Sequence, residues 1–202
     1  MVEKKYLALD TANGHLTVLL RYNNVKHVYV RPNCQLQHSS QFMECVERVL
    51  EESGATLNDL DYFGVVVGPG SFTGIRIGIS AIKAMCQATG KPFAMVTSFD
   101  LMAYNNYSDK CLCAIDAKHG SYYVCGYNGY QVDYPPSFVD EKTLDELCKK
   151  YDLMAITPLG KGEVICLPHD GLMNIIEEAP LHYDLDELVP LYVRKSQAEE
   201  NR

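Results

Sequence analysis

The chain has 202 residues, of which 47% are hydrophobic and 22% are charged, a balance typical of a folded globular domain and not of a disordered one. Its formal net charge of -8 repels phosphate backbones, and its Lys and Arg residues are scattered, so we expect no direct nucleic-acid binding by this chain alone. The 8 cysteines include no C-x-x-C pair and no Cys/His cluster with zinc spacing, which favours reduced, buried thiols over a zinc site or a disulfide framework.

The N-terminal segment has no signal-peptide pattern. Residues 6–9 are the only uncharged run before Asp10, which is too short for the apolar core of a signal peptide. No segment approaches the ~20 continuous apolar residues that a transmembrane helix needs. We therefore expect a cytoplasmic protein without a membrane segment.

Three strand signals open the chain. Residues 6–9 form an apolar run that ends at Asp10, and Asn13-Gly14 is a dipeptide typical of two-residue hairpin turns. Residues 16–20 and 25–30 are further strand-like runs. The pattern predicts an antiparallel meander.

Two helix signals follow, one on each side of a strand. Residues 39–53 have a serine at their start and Gly54 after their end, which are typical helix caps. Residues 62–67 read as a buried parallel strand, and a second helix runs from about residue 73 to residue 89. This order of strands and helices indicates an α/β fold with a mixed sheet.

Both helices carry an apolar stripe, and small residues on the second helix would let another helix approach closely. Two interpretations are open: the stripes pack on the sheet, or one face of the pair contacts a partner. The residues concerned are Phe42, Val46, Val49 and Leu50 on the first helix, and Gly74, Ile75, Gly78, Ile79, Ile82 and Met85 on the second.

The turn before the second helix is a candidate anion site. Gly68, Gly70 and Ser71 lie between a strand and a helix N-terminus, where free backbone N–H groups can bind an anion, and Asp10-Thr11 ends the first strand. The spacing fits neither a Walker loop nor a dinucleotide fingerprint, and simple turns are the alternative at both places.

The second half of the chain has strand signals at 111–115, 122–127 and 153–157 and a helix signal at 140–151. Asp116 with Lys118 or His119 is either acid–base machinery or a strand-end turn. No G-x-S-x-G elbow offers a nucleophile for a hydrolase.

Several motifs together resemble the TsaB (YeaZ) family. Residues 68–78 read GPGSFTGIRIG and resemble the signature of that family. In the same order as in the family, residues 7–11 read LALDT, residues 96–100 read VTSFD, residues 115–118 read IDAK and residues 190–194 read PLYVR. The resemblance is tight up to about residue 120 and loose between about 128 and 185.

The resemblance implies an actin-like (ASKHA, ribonuclease-H-like) two-lobe α/β fold with mixed sheets. The first lobe would comprise residues 1–100, completed by 190–202, and the smaller second lobe residues 101–189. It also implies a partner subunit for the TsaD-type transferase that forms threonylcarbamoyladenosine at position 37 of tRNA. The two subunits would pair through a bundle of first-lobe helices, a TsaE-type ATPase would join them, and the chain alone would form a homodimer through the same surface.

The catalytic relatives carry a His-x-x-x-His metal motif, and the aligned positions here are Ser98 and Met102. The resemblance therefore implies a non-catalytic subunit without an intrinsic cofactor, with ATP or ADP and the metal on partner subunits and tRNA contacted only through the complex. The residues Asp10, Thr11, Gly68, Gly70 and Ser71 would be a vestigial nucleotide site.

Three alternatives stay open: a degenerate ATPase or phosphotransferase of this fold, a peptidase, and a homo-oligomeric structural protein. For the partner-subunit hypothesis we expect Gly78→Glu to abolish partner binding while the isolated fold survives.

Overall fold

The first sheet joins an antiparallel meander to parallel strands. The computed structural model describes residues 3–32, 38–105 and 109–194, without the side chains of residues 38–40. The spatial order is β5-β4-β1-β2-β3, in which β1 pairs antiparallel with β2 and parallel with β4. The strands are β1 (Tyr6–Asp10), β2 (Leu16–Tyr22), β3 (Val25–Arg31), β4 (Tyr62–Val66) and β5 (Phe93–Val96).

The meander forms as predicted, and so does the predicted turn at Asn23-Asn24, but the predicted turn at Asn13-Gly14 does not. Asn23 and Asn24 have φ of 51° and 59°, so they make the tight left-handed turn of the β2–β3 hairpin. Asn13-Gly14 was predicted to form such a turn, and this is wrong, because five residues, 11–15, link β1 to β2 and neither Asn13 nor Gly14 has a positive φ.

Helices cover both faces of this sheet. The first two, α1 (His38–Ser53) and α2 (Phe72–Thr89), lie on one face, and the short α3 (Ser98–Ala103) follows β5. Helix α2 begins at the N-cap Ser71, whose hydroxyl accepts a hydrogen bond from the Gly74 N–H, and ends at Gly90 with φ of 69°. The predicted serine cap of α1 lies outside the described side chains.

The second sheet has the order β10-β9-β6-β7-β8. Strands β6, β7 and β8 are antiparallel neighbours, whereas β9 and β10 join in parallel. Sequence reasoning missed β8, an edge strand that contains Pro135 and Pro136, which an edge tolerates. The elements are β6 (Lys110–Asp116), β7 (Ser121–Asn128), β8 (Gln131–Asp140), α4 (Glu141–Leu147), β9 (Asp152–Ala155) and β10 (Val164–Ile165).

The chain returns to the first sheet earlier than predicted. Helix α5 (Pro168–Ile175) packs into the first core, and β11 (Leu181–His182) pairs antiparallel with β5 as a sixth strand. The predicted second lobe of 101–189 is thus corrected, because α5 and β11 belong to the first lobe. An added Cβ on Gly64 would meet Ile176, next to α5, while Val65 contacts α2, so these two helices cover opposite faces of β4.

The first sheet is a three-stranded meander continued by parallel strands, and a second mixed sheet follows it. This order confirms the predicted α/β, actin-like two-lobe fold. Within the described ranges, no helix is long and apolar enough to cross a membrane. The seven described cysteines are free thiols, and six of them are buried.

Candidate functional site

Most residues predicted to contact a partner lie in the core of the chain itself. Helix α2 turns Gly74, Ile75, Gly78, Ile79, Ile82 and Met85 towards the sheet, and α1 does the same with Val46 and Val49. The six residues other than glycine are at most 6% exposed, because both helices bury one apolar stripe against the sheet. Of the two interpretations of the stripes, packing on the sheet is therefore the one that holds for these eight residues, and partner contact through them is excluded. Phe42 and Leu50 remain half-buried.

The small residues of α2 serve the packing of this helix on the sheet. A Cβ on Gly78 would lie 2.5 Å from Oγ1 of Thr11 and 3.2 Å from Cγ2 of Val65. Oγ1 of Thr11 donates a 2.7 Å hydrogen bond to the carbonyl of Gly74. We therefore expect a glutamate at Gly78 to disrupt the fold, and this replaces the expectation that the isolated fold survives Gly78→Glu.

The opposite face of α2 is exposed and borders a groove of about 630 Å³. Small side chains follow this face at helical spacing, with Ser80, Ala84 and Ala88 exposed along it. Phe72 is 47% exposed at the start of the helix, and Met43 is 45% exposed on α1. The groove is lined by Phe42, Phe72, Thr73, Arg76, Ile77, Ser80 and Ala81.

An arginine and two aromatic rings form the end of this groove. The guanidinium carbon of Arg76 lies 3.8 Å from the ring centroid of Phe72, and Nε of Arg76 donates a 3.1 Å hydrogen bond to the hydroxyl of Tyr192. The rings of Phe72 and Tyr192 stack with centroids 5.5 Å apart. Two segments that carry the family resemblance, 68–78 and 190–194, thus meet at one surface. They lie far apart in the sequence.

The residues of the predicted vestigial nucleotide site lie close together, but their polar groups bond to neighbouring residues of the chain. Asp10 is fully buried, and its carboxylate accepts hydrogen bonds from the Ala12 N–H at 2.9 Å and from Nδ2 of Asn13 at 2.8 Å. Burial raises the pKa of Asp10 to about 6, against the opposing effect of these hydrogen bonds. The arrangement is an Asx-type turn inside the fold.

The glycine-rich loop packs against the same turn. The Ser71 N–H donates a 2.8 Å hydrogen bond to the Ala12 carbonyl, and a Cβ on Gly70 would lie 2.2 Å from that oxygen. Gly68 has φ of 104° and precedes a cis peptide bond to Pro69. The close approach explains the glycine at position 70, and it leaves the N–H of Ser71 engaged within the chain.

Asp116 forms a turn at the end of β6. Its carboxylate accepts hydrogen bonds from the Lys118 N–H at 2.7 Å and from Nζ of Lys118 at 2.9 Å. The hydrogen bond from the Lys118 side chain is the main cause that lowers the pKa of Asp116. Lys118 and His119 have φ of 69° and 55°. These contacts are those of a strand-end turn.

The two positions that the sequence resemblance aligns with a metal motif lie in the interior. Ser98 and Met102 are 0% exposed, at the start and within α3. Oγ of Ser98 has no hydrogen-bond partner among the described residues. Across the described part of the chain, no group of three or more His, Cys, Asp or Glu side chains is placed to hold a metal ion.

Comparison with known proteins places the chain in a family. The family model described as TsaD, tRNA N6-adenosine threonylcarbamoyltransferase, matches residues 30–135, just over half of the chain. The chain belongs to this family. The predicted relationship to TsaB (YeaZ) proteins is confirmed by the curated relatives and by the solved structures described next.

Curated relatives that match more than half of this chain carry the TsaB name. The tRNA threonylcarbamoyladenosine biosynthesis protein TsaB of Escherichia coli (strain K12) is 31% identical over 127 residues, which cover 61% of this chain and 54% of that protein. The TsaB of Bacillus subtilis (strain 168) is 29% identical over 171 residues, 83% of this chain and 72% of that protein. The chain thus spans about half the length of several of its relatives.

A transferase of Cereibacter sphaeroides is 41% identical, but only over 59 residues, 16% of its length. Among solved structures, YeaZ from Pseudomonas aeruginosa superimposes with a TM-score of 0.79, covering 94% of this chain and 100% of that one, at 20% identity. A Pseudomonas aeruginosa protein described as similar to the peptidase YeaZ also gives 0.79 at 19% identity. These two structures support the fold.

Proposed function

We propose that this chain is a non-catalytic partner subunit that binds a TsaD-type transferase and supports formation of threonylcarbamoyladenosine at position 37 of tRNA. The observation that carries the proposal is the exposed groove between α1 and α2, on a chain whose family and curated relatives belong to this modification.

The groove has the properties of a helix-docking surface. Half-exposed apolar side chains such as Phe72 and Met43 lie beside small residues such as Ser80 and Ala84. Small residues let a second helix pack closely, with its axis about 8–10 Å from the axis of α2. Contiguous exposed apolar surface of this kind marks interaction sites in soluble proteins. The partner therefore contributes one or more helices, and the complex contains a helical bundle.

The polar sites support the non-catalytic part of the proposal. Asp10 is buried and hydrogen-bonded to its own turn, the Ser71 N–H is engaged by Ala12, and Asp116 is tied to Lys118. Each of these three groups is thus held in a structural contact. ATP or ADP and the metal belong to partner subunits in this proposal, among them a TsaE-type ATPase.

Two further features belong to the same proposal. In the absence of the transferase, the chain forms a homodimer through the α1–α2 surface, because an exposed apolar groove favours self-association. The net charge of -8 opposes direct binding of a polyanion, so tRNA reaches this subunit only through the assembled complex.

Titration calorimetry with the TsaD-type transferase of the same organism tests the proposal. Ser80→Arg places a charged side chain in the middle of the groove at an exposed position, so we expect it to abolish complex formation while thermal unfolding stays near that of the unmodified chain. Gln131→Arg, exposed at the start of β8, is the matched control and should bind normally. Equal affinity of the Ser80→Arg chain would contradict the proposed surface.

A further inference from the structure

The feature that carries a further inference is the guanidinium of Arg76 at the end of the α1–α2 groove. Arg76 is exposed, and it lies on the groove-facing side of α2. Within the described ranges it makes no ion pair with a carboxylate, although the chain has 26 acidic residues. Its positive charge is therefore available to a binding partner.

The side chain is held in a fixed direction. The ring of Phe72 stacks beneath the guanidinium at 3.8 Å, and the hydroxyl of Tyr192 accepts the Nε–H at 3.1 Å. These contacts use the Nε–H and one face of the guanidinium group, and they leave its terminal N–H groups for another acceptor. Immobilising a long side chain before binding lowers the entropy cost of forming an ion pair.

We infer that Arg76, positioned by Phe72 and Tyr192, receives a carboxylate from a helix of the partner subunit and sets the register of the complex. The inference rests on the proposed function and adds the chemistry of the partner: an apolar helix face with an aspartate or glutamate opposite Arg76. The bidentate geometry of an arginine–carboxylate pair supplies the directional contact that an apolar groove lacks.

Two other occupants fit the surface less well. A symmetric second copy would bring the same surface together, and the lining of the groove contains no acidic residue that would meet Arg76. An RNA phosphate would also accept from Arg76, but the groove beside it is lined by Phe42, Ile77 and Ala81, and the chain carries a net charge of -8. A protein carboxylate fits both the charge and the apolar lining.

The test is the dissociation constant of the complex with the TsaD-type transferase, measured at low and high salt. We expect Arg76→Gln to weaken binding about tenfold and to reduce the salt dependence, since it removes a charge pair at the interface. Tyr192→Phe removes only the hydrogen bond to Nε and should weaken binding by a smaller factor, about threefold. Lys142→Gln, exposed on α4 in the second lobe, makes the same change in net charge and should leave the dissociation constant unchanged.

The outcomes separate this inference from the proposed function. If Arg76→Gln binds within twofold of the unmodified chain while Ser80→Arg abolishes binding, the surface stands and the role of Arg76 is overturned. If Arg76→Gln leaves the protein complex intact but weakens tRNA binding to it, the acceptor is a phosphate and the inference is wrong. It is equally wrong if Arg76→Gln weakens only the homodimer, measured by light scattering.

Discussion

Replacement of Gly78 by alanine tests which face of α2 packs on the sheet. The new methyl group would lie 2.5 Å from Oγ1 of Thr11 and 3.2 Å from Cγ2 of Val65. Overpacking of this kind costs about 1–3 kcal/mol, and displacing Thr11 from the Gly74 carbonyl removes a buried hydrogen bond of about 1 kcal/mol. Alanine recovers about 1 kcal/mol of helix propensity, so we expect a net loss of about 1–3 kcal/mol in the free energy of unfolding.

The assay is urea unfolding followed by far-ultraviolet circular dichroism. Ser80→Ala on the exposed face of the same helix is the control, and we expect it to raise the free energy of unfolding by about 0.5 kcal/mol through helix propensity alone. A Gly78→Ala chain at least as stable as the unmodified one would refute the assignment of this face to the core.

Two further changes probe buried polar groups. The raised pKa of Asp10 means that the folded state holds its proton to higher pH than the unfolded state, so wild-type stability falls as pH rises from about 4 to about 6. The free energy of unfolding of Asp10→Asn, relative to that of the unmodified chain, should therefore rise by up to about 3 kcal/mol across that interval. A difference in urea unfolding that does not change with pH would contradict this account. Ser98→Ala removes a buried hydroxyl without a hydrogen-bond partner, so we expect an unfolding free energy that is unchanged or higher, and a loss above about 1 kcal/mol would argue against it.

The first lobe was largely predictable from the sequence because its signals are local. The apolar runs at β1 and β4 are buried along their full length, and Gly90 ends α2 through its left-handed backbone. The predicted Asn13-Gly14 turn does not form, because the Asp10 carboxylate accepts hydrogen bonds from Ala12 and Asn13 and stabilises a longer connection. Such side-chain contacts outweigh the tendency of an Asn-Gly dipeptide to form a two-residue hairpin turn.

The proposed binding surface was not predictable in the same way. Periodicity locates the apolar stripe of α2, but an apolar stripe by itself does not say whether a sheet or a partner covers it. The polar residues Arg76 and Ser80 on the opposite side were the available signal, since a partner surface is bounded by exposed polar groups. The contact from Arg76 to Tyr192 spans 116 positions, and only the fold reveals it.

The second lobe and the chain's return were the least predictable parts. Strand β8 has prolines and exposed residues, and β11 has only two residues, so neither shows a clear alternation of apolar and polar side chains. Both are held by pairing with distant strands, β8 with β7 and β11 with β5. Tertiary pairing of this kind leaves little trace in local sequence.

The central claim is that this chain supports a transferase without catalysing the reaction itself. The most direct measurement is threonylcarbamoyladenosine formed on tRNA by the reconstituted transferase and ATPase subunits, with and without this chain. We predict modification only when the chain is present, loss of modification with Ser80→Arg, and retention with Asp10→Asn. Modification at the same rate without the chain, or its loss with Asp10→Asn while the complex still forms, would contradict the account.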